Sequence, residues 1–137
     1  NNDNIIFPVS NTDNRLPAKD RVLGVFVSGE VKGYTFSDSQ SSLEIIHDEF
    51  DSQKLLVARS FKHNFIVAFL IRNLNETYTS LPDSDFPFII QDVSGTKYDI
   101  LGYADDGSNK SLVLAKQFMG YWFSWGTFYP ETELYEQ

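Results

Sequence analysis

The only histidines in the chain are His47 and His63. Histidine titrates near neutral pH and binds metals through either ring nitrogen, so each is a candidate base or ligand. His47 is followed by Asp48 and Glu49, and a histidine beside carboxylates is the raw material of an acid–base or metal-dependent site. Neither histidine stands in an H-x-x-x-H spacing, and both border expected turns. The plainer reading is therefore two surface histidines. Asp83-x-Asp85, Asp99 and Asp105-Asp106 offer oxygen ligands, but no twelve-residue loop with the D-x-D-x-D-G pattern and a closing glutamate is present. Acidic residues in such places are ordinary turn residues. No serine lies in a G-x-S-x-G elbow, and there is no G-x-G-x-x-G or phosphate loop. With no cysteine, disulfides, zinc–thiolate sites and cysteine nucleophiles are excluded within the chain. The residues thus assign no catalytic group, no metal ligand and no cofactor. The open alternative is an enzyme or metal-dependent site built around His47 and Asp48.

Composition bounds the partners. The formal net charge is −8. Phosphate backbones demand clustered Lys and Arg, so nucleic acid is not an expected partner, and anionic lipid is disfavoured for the same reason. A length of 137 residues fits one domain, and 42% hydrophobic with 15% aromatic residues argues for a packed core. No apolar run is long enough to span a bilayer as a helix. The start, Asn1-Asn2-Asp3-Asn4, is expected to fray. It reads as a mature or trimmed end, which leaves room for a removed leader or an upstream domain.

The elements that must hold any site read mostly as strands. Val22–Val27 and Glu30–Phe36 flank Ser28-Gly29 and form the clearest hairpin. Lys54–Arg59 and Phe65–Arg72 are the most apolar runs, joined through Lys62-His63-Asn64. The second is apolar almost throughout, as expected of a strand covered on both faces, with Phe69 at its centre. Phe86–Gln91 and Lys97–Leu101 follow, around Asp92-Val93-Ser94-Gly95. In the most aromatic stretch, Phe118, Tyr121, Trp122, Trp125 and Phe128 fall at i, i+3, i+4, i+7 and i+10. That spacing predicts a helix over about Lys116 to Phe128, stopped by Pro130, with Trp122, Trp125 and Phe128 plugged into the core. The expected fold is mainly β, α+β at the margin: an antiparallel curved sheet or barrel capped by one C-terminal aromatic helix.

Three segments carry a family resemblance. They are Phe7-Pro8-Val9-Ser10 through Asp13-x-Arg15-Leu16-Pro17-x-Lys19-Asp20-Arg21-Val22-Leu23-Gly24-Val25; Gly95-x-x-Tyr98-x-x-x-Gly102-x-Ala104-x-x-Gly107; and Trp122-Phe123-x-Trp125-x-x-Phe128-x-Pro130-x-Thr132-Glu133-x-Tyr135. Together they resemble the C-terminal half of a family of mostly bacterial and archaeal extracytoplasmic proteins of unknown function. Its full-length members look like two related halves, the first with a V-T-Y-C-P-L-C-like turn. The family's V-x-x-G-x-x-K-A-Y-P pattern appears as Val27 to Tyr34, with Thr35 where proline is usual. Its cysteine turn would fall near Phe61-Lys62-His63-Asn64 and is absent, and its G-x-x-W tryptophan is Tyr98.

The resemblance implies an extracytoplasmic location, periplasmic or in the cell envelope, and an upstream homologous domain in the full-length protein. The missing cysteine turn implies a non-catalytic binding or structural module with a protein or small-molecule partner. His47, Asp48, Tyr98 and Tyr103 are the candidate ligand-binding residues.

Overall fold

The computed structural model describes residues 20–35, 42–72, 75–122, 129 and 131–135. The described residues form eleven strands in three sheets, stacked as layers. The first sheet has the order β10 (Lys116–Tyr121), β1 (Arg21–Val27), β2 (Glu30–Thr35) and β11 (Glu133–Leu134), and the second β3 (Glu44–Phe50), β4 (Gln53–Ser60), β5 (Phe65–Leu70) and β9 (Val113–Leu114). The third has the order β6-β7-β8. β1 (Arg21–Val27) and β2 (Glu30–Thr35) are the expected hairpin. Ser28 and Gly29 both take positive φ, 52° and 83°, the conformation a tight two-residue hairpin turn demands. β3 (Glu44–Phe50), β4 (Gln53–Ser60) and β5 (Phe65–Leu70) make an antiparallel meander. β6 (Tyr78–Ser80), β7 (Phe88–Asp92) and β8 (Lys97–Asp99) make the third sheet, with a 3-10 turn at Asp83–Asp85 before β7.

Alternation sorts the side chains between layers, because successive residues of a strand point to opposite faces. Leu23, Val25 and Val27 of β1 and Tyr34 of β2 meet Ile46, Leu55, Val57, Ile66 and Ala68 of the second sheet in one core. The opposite face of the second sheet offers Leu56, Ala58 and Phe69 to Ile89, Ile90, Tyr78 and Tyr98 of the third. The middle sheet is thus covered on both sides. This is the physical reason that β4 and β5 read as nearly unbroken apolar runs.

The outer face of the first sheet is covered by the chain's C-terminal part. Trp122 and Val22 are buried there against Phe26, Val31 and Leu134. Gly33 makes this packing possible. A Cβ at that position would lie 2.8 Å from Val22 Cγ1 and 3.1 Å from Leu134 Cδ2. Gly33→Ala is expected to lower stability by about 1–3 kcal/mol, as overpacking does, read as a fall in the urea midpoint with an unchanged slope.

Two expectations need correction. Among the described residues no sheet closes into a barrel. The first part of the expected helix is instead a strand, for Lys116–Tyr121 is β10, paired with β1 in six consecutive register pairs, and no long helix occurs among the described residues. The chain leaves β9 (Val113–Leu114) in the second sheet and, after Ala115, enters the first sheet at Lys116. The Ala115 N–H donates to the Ala68 carbonyl at 3.1 Å. The Gln117 side chain then accepts from the Ala68 N–H and donates to the Ala68 carbonyl, each at 2.9 Å, in imitation of a ladder rung. An otherwise open edge of β1 and this amide clamp outweigh the local period. The stripe also splits: Trp122 is 1% exposed, whereas Phe118 is 66% and Tyr121 51% exposed. Trp125 and Phe128 lie outside the described residues.

Candidate functional site

The four candidate ligand-binding residues do not converge. His47 and Asp48 are neighbours in β3 and leave it on opposite faces. His47 is exposed, while Asp48 turns toward the first sheet. Tyr98 is 3% exposed and its hydroxyl donates to Asp92 Oδ2 at 2.9 Å. Tyr103 is exposed, and its backbone bridges to Ser111.

Asp48 belongs to a closed ionic cluster between the first two sheets. Lys32 Nζ lies 2.8 Å from Asp48 Oδ2, and the Tyr34 hydroxyl donates to the same oxygen at 2.7 Å. Burial alone would raise the Asp48 carboxyl, but bonds from Lys32, Tyr34 and the Glu49 N–H hold it below the usual carboxylate value. Burial and the adjacent Asp48 push the Tyr34 hydroxyl above its ordinary value. Arg59, only 1% exposed, donates from Nε to Glu44 at 2.9 Å and from Nη1 to the Thr35 carbonyl across the sheets. A second closed cluster lies under the third sheet. Asp92 accepts from Ser94, Tyr98 and Thr96, and these bonds outweigh burial and lower its carboxyl. Such groups are committed to the fold, since a buried polar atom without a partner is costly.

A different situation holds where the β4–β5 hairpin meets the 3-10 turn. The hairpin loop is tightened by the Asn64 N–H donating to the Phe61 carbonyl at 3.2 Å and the His63 N–H to Ser60 Oγ at 3.1 Å. Asn64 takes φ 57°, a conformation that asparagine tolerates well. The loop lays the His63 ring flat on Phe86, with centroids 4.2 Å apart and planes within 3°. His63 Nε2 is buried without a hydrogen-bond partner, and Asp83 Oδ1 is 3.9 Å away. Lys62 Nζ stands 3.6 Å from the other Asp83 oxygen. Asp83 is also one wall of an open cleft of about 350 Å³ formed with Ser42, Leu43, Ser80, Leu81 and Pro82. Leu43 and Pro82 continue from it into a narrow apolar seam beside His63, Phe65 and Phe86.

Sequence reasoning set His63 aside as a surface residue beside a turn; the carboxylate near it, Asp83, lies twenty positions away in another layer. Lys32 and Arg59 were also missed. Their signal is a cation within an otherwise apolar, alternating strand, which marks a buried and therefore paired charge. No group of three or more His, Asp or Glu residues that could hold a metal occurs among the described residues. No helix among them is long and apolar enough to cross a membrane.

Fold and site together define, for the described residues, a three-layer, mainly antiparallel β protein with an ionic interior and a polar cleft at the seam of its second and third sheets. Residues 1–132 match the family described as "Protein of unknown function (DUF3179)", and the chain belongs to that family. No curated protein and no solved structure matches it.

Proposed function

We propose that this chain is a non-catalytic extracytoplasmic binding module, and that its ligand enters the cleft bounded by Ser42, Ser80 and Asp83. One observation carries this reading. The carboxylates Asp48 and Asp92 are consumed by internal hydrogen bonds, whereas the ionic contacts of Asp83 among the described residues are long, at 3.6 and 3.9 Å, and it lines an open cleft. A carboxylate between two serines is suited to a small molecule carrying hydroxyl or ammonium donors. The family resemblance supports the extracytoplasmic setting and an upstream related domain as neighbour. A His47–Asp48 active site has no comparable support, since the two side chains leave β3 on opposite faces.

The test is a titration of isotope-labelled protein with simple polyols, monosaccharides and alkylamines. Amide shifts are expected at Leu43, Leu81 and Asp83 for at least one class, with Asp83→Asn weakening binding at least tenfold. Shifts confined to other surfaces, or silence across the series, would defeat the proposal. So would turnover of any of these compounds that His47→Ala abolishes.

A further inference from the structure

The β4–β5 loop brings two nitrogen groups of different kinds to the Asp83 carboxylate. Lys62 Nζ, on an exposed side chain, lies 3.6 Å from Oδ2. His63 Nε2 lies 3.9 Å from Oδ1, buried and without a hydrogen-bond partner. That separation is too long for a hydrogen bond. An ammonium keeps its charge across the neutral pH range, whereas an imidazole changes charge within it. Around the His63 ring the seam is lined by Leu43, Phe65, Pro82, Phe86, Phe88 and Ile89, all apolar, and by Asp83, which carries the charge. Other charged groups on the surrounding elements have partners of their own. Asp85 holds Lys97 at 3.0 Å, Glu44 holds Arg59 at 2.9 Å, and Arg21 donates to the Asn64 side-chain carbonyl at 2.7 Å. The stack on Phe86 and the bond from the His63 N–H to Ser60 Oγ fix the plane of the ring. A slide of about 1 Å in that plane would bring Nε2 to the ~2.8 Å of a charge-assisted bond.

On the reading that the cleft bounded by Ser42, Ser80 and Asp83 receives a ligand, we propose that His63 is a proton-operated gate on it. The neutral imidazole makes no bond to Asp83, and Oδ1 is left to accept from a hydroxyl or ammonium of the ligand. The protonated ring donates from Nε2 to Oδ1. With Lys62 beside Oδ2, the carboxylate is then claimed on both oxygens. A ligand must break a charge-assisted bond to use it, so affinity falls as pH drops through the histidine range. Linkage makes the effect reciprocal, and a bound ligand drives the proton off the ring.

The experiment follows the Asp83 side-chain carboxyl carbon by NMR in the ligand-free full chain while pH is lowered from about 8 to about 5, across the histidine range. Wild type is expected to show a step within that range, apart from the one that carboxylate protonation gives in more acid solution. The step should vanish in His63→Phe, which keeps a flat ring against Phe86. Wild type is then titrated with glycerol, glucose and propylamine. Its preferred compound should bind at least threefold more weakly at the acid end, and His63→Phe should bind it equally at both ends. Should His63→Phe fail to fold, His63→Gln carries both comparisons. A wild-type carboxyl without the step, or a step that survives in a His63 variant that still has His47, overturns the gate. So does a compound that shifts the Leu81 and Asp83 amides yet binds with one affinity throughout. If none of the compounds binds, the reading of the cleft fails instead, and the ligand-free step still decides whether His63 closes on Asp83.

Discussion

Asp48→Ala is expected to cost about 3–5 kcal/mol of stability, the range for removing one partner of a buried ion pair. The side chains of Lys32 and Asp48 are 9% and 16% exposed, and Tyr34 is fully buried. Truncating the carboxylate strands an ammonium and a phenol together. Among the described residues the carboxylate left to Lys32 would be Glu133, at 3.4 Å and largely in solvent. Replacing both charges, Lys32→Met with Asp48→Leu, is expected to recover most of the loss, because the pair's Coulomb gain only offsets its own desolvation. A double-mutant cycle in urea separates the two effects, and additive single losses would refute the coupling.

This cluster and the one around Asp92 set the acid limb of stability. The Asp48 and Asp92 carboxyls are both held below the usual carboxylate value in the folded protein. The unfolded chain therefore binds more protons at moderately acidic pH. Their contribution is full above a pH of about 4, the unfolded carboxylate pKa, and fades as pH falls through the lower folded values.

The β class and several strands were legible, whereas the division into three sheets was not. The Ser28-Gly29 hairpin and the double-sided burial of β5 follow from alternation and turn chemistry, which act within a few residues. The aromatic segment misled because a 3.6-residue period describes only what a chain would do alone. Strand pairing is decided by a partner about a hundred positions away, with Met119 beside Leu23 and Gln117 beside Val25. β-propensity is set by such neighbours more than by the segment itself. The site was illegible for the same reason. His63 and Asp83 meet only because the second and third sheets stack, and Asp48 leaves His47 because strand neighbours always diverge.

Trp122→Ala is expected to lower stability by about 3–5 kcal/mol, and the loss should begin at one face. The indole is 1% exposed on the outer side of the first sheet, packed with Val22 and flanked by Phe26, Val31 and Leu134. Its backbone N–H donates to the Asp20 carbonyl at 2.7 Å, so the ring is anchored where β1 begins and β10 ends. An indole buries roughly 150–250 Å², which at about 25 cal/mol per Å² is a stabilisation of roughly 4–6 kcal/mol. Among the described residues the buried members of this cluster are Val22 and Trp122, so removing the indole leaves Val22 facing the void. Hydrogen exchange should therefore accelerate first in β1, β2 and β10, while β4 and β5, covered on both faces, keep their protection. Trp122→Phe should restore part of the loss. A uniform rise in exchange across all three sheets, or a Trp122→Ala loss below about 1 kcal/mol, would show that the outer layer does not hold the first sheet in place.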